Sequence, residues 1–145
     1  MLSGQIVGKV SSKFQTALPK QFRAIFGKKV IITKSLDQCL LILAEENWET
    51  LLEGTRGMPF TDKATREIQR YLFGSAVVVT LDNQGRFVIP EYLREYAHIE
   101  KEIVYVGVQR YGEIWNKTLW KEHEESIAKS IDLLTVNLTE TSSHE

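Results

Sequence analysis

The chain is written twice. Val10–Arg23 reads VSSKFQTALPKQFR and Leu81–Arg94 reads LDNQGRFVIPEYLR; Pro19 matches Pro90, Phe22 matches Leu93 and Arg23 matches Arg94, each at an offset of 71. Farther on, KVIIT (29–33) matches EIVYV (102–106), CLLIL (39–43) matches YGEIW (111–115), and Trp48 matches Trp120. The offset drifts by only two residues, so both copies carry the same elements in the same order. Such repetition constrains a fold strongly, because each copy has the same face to bury. A copy of about 45 residues is too small to hold a good core alone. The expected solution is an α+β fold in which the copies interleave their strands into one barrel-like core with pseudo-twofold symmetry.

Each copy reads as a lead strand (QIVGKV, AVVVTL), a tight connection, and a strand ending at proline (TALP, RFVIP). A short helix begins near that proline, which suits the first helical position because its missing N–H would be unpaired there anyway. Phe22, Ile25 and Phe26 are expected to face inward in copy one, and Tyr92, Leu93 and Tyr96 in copy two. Two strands rich in β-branched and aromatic residues follow in each copy. Each copy then ends in a helix bearing the shared tryptophan, at 45–53 and about 117–131. Between the copies, PFTDKATREIQRYLFGSA predicts a helix capped by Thr61 or Asp62 and stopped by Gly74, with Ala64, Ile68 and Leu72 on one face. The expected organisation is repeat one over 5–47, linker helices over 48–75, repeat two over 76–119, and a C-terminal helix with a loosely ordered polar tail over 120–145.

Net charge is −1, which argues against a nucleic-acid partner until its distribution is considered. Residues 1–36 hold Lys9, Lys13, Lys20, Arg23, Lys28, Lys29 and Lys34 and no acidic residue; the remainder holds eleven basic and nineteen acidic residues. A +7 block on a −8 body is an electrostatic footprint that the net charge hides. A solvated face without a partner is the plainer alternative. The single cysteine, Cys39 in DQCLLIL, excludes an intramolecular disulfide or a cysteine zinc cage and reads as a small buried hydrophobe. No basic segment followed by an apolar run opens the chain, and no stretch approaches the ~18 apolar residues of a membrane helix. A cytoplasmic location without a membrane partner is expected.

The second turn, LDNQGRF, carries the clearest chemistry. Asp82 can bond its own backbone two residues on, Gly85 can take positive φ, and Arg86 falls just past the turn, four residues after Asp82. A guanidinium held this way can bond phosphate, or the O6/N7 edge of guanine, with two parallel bonds. A surface ion pair that merely orders a hairpin is the plainer reading. In the first turn Ser11, Phe14 and Gln15 stand where Asp82, Gly85 and Arg86 stand. Phe14 at a positive-φ position predicts a turn of different shape, since bulky residues are strained there.

Enzymatic signals are weak. His98, His123 and His144 are scattered, HEE at 123–125 lacks metal-ligand spacing, and no nucleophile elbow, phosphate loop or dinucleotide fingerprint occurs. Catalysis, a metal, a cofactor and a small-molecule substrate are not expected.

Residues 59–108, which include TDKATR, the DNQGRFVIP turn and IEKE, together with EIW at 113–115, MLSG at the start and SLDQCLLIL, resemble the MraZ family of bacterial regulators. The resemblance spans residue 1 to about 125. It implies two SpoVT/AbrB-type halves, swapped β-hairpins and a shared core, so that one chain imitates a dimer. It also implies a nucleoid-associated, ring-forming homo-oligomer that binds repeated DNA elements upstream of the division and cell-wall gene cluster and regulates transcription. The family pattern has Asp-x-x-x-Arg in both halves; Asp82 and Arg86 keep it, while Ser11 and Gln15 break it. The leading expectation is double-stranded DNA bound by the first-half face, with Lys9, Lys13, Lys20 and Arg23 on phosphates and Gln15 reading a base, adenine being its bidentate partner. The alternative is a ring-forming interaction protein whose first DNA motif has decayed. An AbrB-type antitoxin fits less well, because the polar tail is short and the two copies are fused.

Overall fold

The computed structural model describes residues 1–49 and 61–143, with side chains through Leu138. Copy one supplies β1 (Gln5–Lys9), β2 (Gln15–Ala17), α1 (Lys20–Phe26), β3 (Lys29–Lys34) and β4 (Leu40–Ala44). A 3-10 turn, Glu45–Asn47, leads from β4 to Trp48. After α2 (Lys63–Gly74), copy two supplies β5 (Val77–Thr80), β6 (Arg86–Val88), α3 (Glu91–Ala97), β7 (Glu102–Val108) and β8 (Tyr111–Asn116), and α4 (Lys117–Ser143) closes the chain.

The copies exchange their lead strands. A six-stranded antiparallel sheet has the order β1-β7-β8-β4-β3-β5, so β1 lies against copy two and β5 against copy one. β2 and β6 form a separate two-stranded ribbon. The registers carry the symmetry. Lys9 opposite Glu102 becomes Thr80 opposite Lys29 under the sequence offsets, and Thr16–Phe87 and Leu41–Glu113 map onto themselves. A pseudo-twofold axis therefore runs through those two pairs. The expected barrel closure is not met: the sheet is open, with β1 and β5 at its edges.

Phe22, Leu18, Ile32, Ile42, Ile89, Leu93, Ile103 and Tyr105 fill the core. Every residue of β4 is buried, because Leu40 and Ile42 face that core while Leu41 and Leu43 pack with Ile31 against Trp48 and Tyr111. A strand covered on both faces reads as an unbroken apolar run. Cys39 is buried as expected, and burial pushes its thiol well above the ordinary range, which leaves it inert.

Several sequence expectations change. Ile25 and Tyr92 are exposed, since a two-turn helix buries one residue per turn: Phe22 and Phe26 in α1, Leu93 and Ala97 in α3. Tyr92 instead donates its hydroxyl to the Ser75 carbonyl. In α2 the buried residues are Thr65 and Leu72, not Ala64 and Ile68. Asp62 is the cap, accepting from the Ala64 N–H and the Thr65 hydroxyl, and this turns Thr65 inward. Helix α4 runs through the polar tail to Ser143, and His144 and Glu145 lie outside the described residues. The remainder of the helix expected over 45–53, and of the linker expected over 48–75, includes residues outside those described.

Candidate nucleic-acid interface

The β2–β6 ribbon sets Gln15 opposite Val88, Thr16 opposite Phe87 and Ala17 opposite Arg86. Thr16 and Phe87 are buried, so strand alternation turns Gln15, Ala17, Arg86 and Val88 to the other, outward face. The Thr16 hydroxyl and the Tyr105 hydroxyl lie 2.9 Å apart inside the core, tying the ribbon to β7. Gln15 and Arg86 are twofold-related and diagonal to one another across the ribbon. Diagonal neighbours on such a ladder stand ~7–8 Å apart.

The two turns have one shape. Asp82 N–H donates to the Arg86 carbonyl (3.1 Å) and Gly85 N–H to the Asp82 carbonyl (3.0 Å). In the first turn Ser11 N–H donates to the Gln15 carbonyl (2.9 Å) and Phe14 N–H to the Ser11 carbonyl (2.9 Å). Asp82 Oδ1 accepts from the N–H groups of Gln84 and Arg86; Ser11 Oγ accepts from those of Lys13 and Gln15. Phe14 takes φ +63°, beside +77° at Gly85. The expectation of a differently shaped first turn is therefore overturned: a hydroxyl replaces the carboxylate as backbone acceptor, and the phenylalanine accepts the left-handed conformation.

What the first turn lacks is the second carboxylate oxygen. Asp82 Oδ2 holds Arg86 Nε at 2.7 Å, with both side chains open to solvent. The Arg86 backbone N–H, its side chain and the Gln84 N–H together hold the Asp82 carboxyl below its ordinary value. Arg86 thus leaves the turn with its direction fixed and its outer nitrogens free of Asp82. Gln15 has no equivalent tether.

Lys9, Lys13 and Lys20 are exposed at the end of β1, in the first turn and at the start of α1. Lys9 lies close enough to Glu102, itself bonded to Lys117 at 2.9 Å, to help hold that carboxyl low. Lys34 is diverted from the basic block: its ammonium lies over the rings of Tyr71 and Tyr96, at 5.6 and 5.2 Å. Arg23 is only partly exposed, and its side chain crosses to Gly85 of the other half. Its repeat mate Arg94 crosses the other way, with Cζ 3.4 Å from the centre of the Phe14 ring. Sequence reasoning paired Arg23 with Arg94 by offset but missed that each reaches the opposite turn. Among the described residues no cluster of three or more His, Cys, Asp or Glu could hold a metal ion, and no helix is long and apolar enough to cross a membrane.

The family model of the MraZ protein, described as antitoxin-like, matches this chain twice, over residues 13–71 and 72–137. The chain belongs to the MraZ family. The two matched segments contain one of the two turns each, apart from the first residues of the first turn. Similar proteins named transcriptional regulator MraZ include that of Caldanaerobacter subterraneus subsp. tengcongensis, 36% identical over 95% of this chain and 96% of its own. That of Acetivibrio thermocellus is 38% identical over 94% of this chain and its whole length. That of Desulfitobacterium hafniense strain Y51 is 37% identical over 95% and 99%. The MraZ relationship spans both repeats, so it bears on the whole ribbon and not on the intact second turn alone.

Proposed function

We propose that this chain is a transcriptional regulator that binds repeated elements of double-stranded DNA through its β2–β6 ribbon. The naming of its relatives supports regulation of transcription. The observation that carries the mode of binding is the outward face of the ribbon, where Gln15 and Arg86 stand as twofold mates beside exposed Lys13. A two-stranded ribbon fits the major groove, where guanine offers two acceptors to an arginine fork and adenine a donor–acceptor pair to glutamine. Lys9, Lys13 and Lys20 serve phosphates and supply the salt-sensitive share of affinity. Placement upstream of the division and cell-wall genes, and association with the nucleoid, follow from family membership and belong to this proposal.

Assembly into a ring is part of the same reading. Support comes from α4, whose Ile127, Ile131, Leu134 and Leu138 are exposed at spacings of four, three and four residues. This stripe continues the face on which Trp120 bonds Gln5, so a neighbouring copy would extend packing already begun within the chain. Weak sites joined in a ring suit repeated DNA elements, because avidity multiplies modest affinities.

The deciding measurement is salt-titrated binding to DNA upstream of the protein's own gene, with Gln15→Arg and Ser11→Asp/Gln15→Arg beside wild type. Affinity should fall steeply with salt. The double variant should exceed Gln15→Arg, since only it provides the tether that Asp82 gives Arg86. Equal weak binding by all three, insensitive to salt, would favour an interaction protein whose first motif has decayed.

A further inference from the structure

Arg23 and Arg94 occupy the same place in the two repeats, and both point away from their own half. A Cβ placed on Gly85 would lie 2.7 Å from Arg23 Nε and 3.0 Å from its Cζ, and would collide with its Cδ. The other half's arginine thus fills the space a side chain at Gly85 would take. At the matching site Arg94 meets an aromatic face at 3.4 Å. Arg23 Nε and Arg94 Nη1 are both buried without a hydrogen-bond partner. Each guanidinium therefore turns one of its nitrogens into the protein.

Phe14 makes the need for such a clamp plain. It is 47% exposed and holds φ +63°, an arrangement costly for a bulky side chain. Nothing in its own turn repays that cost. The Arg94 guanidinium over its ring offsets part of it by cation–π attraction. The backbone shows the same crossing of halves: the Phe14 carbonyl accepts from Ile89 N–H at 3.2 Å, and the Gly85 carbonyl from Leu18 N–H at 2.9 Å.

We propose that Arg23 and Arg94 are reciprocal positioning residues, the helix of each half clamping the recognition turn of the other. In the second turn Arg23 occupies the space beside Gly85. In the first, a phenylalanine ring has become the clamp's other jaw and holds Gln15 outward. The clamp rests on geometry alone; its effect on base preference rests on the DNA-binding reading above.

Amide hydrogen exchange of the full-length protein without DNA tests the clamp directly, because exchange tracks local opening. Arg94→Ala should raise Ile89 N–H exchange roughly 2- to 30-fold, the range that loss of one cation–π contact allows, and leave Leu18 N–H unchanged. Arg23→Ala should do the converse. Phe14→Tyr should keep protection, and Phe14→Ala/Arg94→Ala should be no worse than the worse single variant. Exchange that rises across the core, or does not rise at all, overturns the clamp. With a repeat-bearing and a scrambled duplex, Arg94→Ala should lower the affinity ratio at an unchanged salt slope. A uniform loss with the slope reduced by ~0.9 would make Arg94 a phosphate contact and overturn the positioning role. Failure to bind any duplex would defeat the DNA reading, and the amides alone would then decide the clamp.

Discussion

Gln15 and Arg86 are expected to read base pairs about two steps apart. They are diagonal on the ribbon, hence ~7–8 Å apart and somewhat closer between Cβ atoms. Base pairs rise ~3.4 Å each, so two such positions in one groove span about two steps. The perturbations are Arg86→Ala, Gln15→Ala and Lys13→Ala, each assayed against every single-base variant of one repeat at 50–200 mM salt. A lost bidentate contact removes ~1–3 kcal/mol of discrimination, about 5- to 150-fold, at one base pair. Arg86→Ala should thus abolish a guanine preference at one position. Gln15→Ala should relax an adenine preference near the second, and by less, because its side chain has no tether like that between Arg86 and Asp82. Lys13→Ala should weaken all duplexes alike and flatten the salt slope by ~0.9. If three ammonium groups each meet a phosphate, the slope is about −2.7 and a fourfold rise in salt costs roughly 40-fold in affinity per chain. Relaxation of the same base pair by Gln15→Ala and Arg86→Ala, or of pairs half a helical turn apart, would refute the placement of the two residues on one ribbon face in one groove.

Thr16→Val and Tyr105→Phe should each cost ~1–3 kcal/mol in urea unfolding, because each strands the other buried hydroxyl, while the double variant should recover most of the loss; additive losses would show that the pair is not coupled. The Asp82 carboxyl is held below its ordinary value of 3.8, so its contribution is complete above that pH and is lost as pH falls through the lower folded value. Amide shifts of Gln84 and Arg86 should therefore titrate with a midpoint under 3.8 while those of Lys13 and Gln15, which bond an uncharged Ser11, stay still; a midpoint at or above 3.8 would contradict the tether. Ile131→Glu/Leu134→Glu should shrink the assembly seen by sedimentation without altering the fold, and an unchanged sedimentation coefficient would remove α4 from the ring contact.

Much of this fold was legible because the repeat is local information. Matching Pro19 with Pro90 and KVIIT with EIVYV fixes element order, and size forces two halves to share a core. The Asp82–Arg86 tether was also legible, since a turn brings residues four apart together whatever surrounds them. The shape of the first turn was not. Phe14 at positive φ looked prohibitive from its neighbours in sequence, and the group that tolerates it, Arg94, lies 80 residues away in the other half. The buried face of α2 is hidden for a related reason: its apolar period is local, but the Asp62 cap and the Thr65 hydroxyl set its rotation. Likewise Lys34 counts toward the basic block in any tally, yet its charge lies over two aromatic rings.

By itself, then, the sequence determined the repeat, the α+β element order, the uneven charge and the one intact Asp–Gly–Arg turn, because periodicity, turn chemistry and charge act over short spans of chain. The tertiary structure decided that the sheet stays open, that Gln15 and Arg86 share one ribbon face, and that an arginine from each half reaches the turn of the other. Those features depend on strand exchange between the halves, which places residues roughly 60 to 80 positions apart in contact and leaves no trace in the spacing of either half.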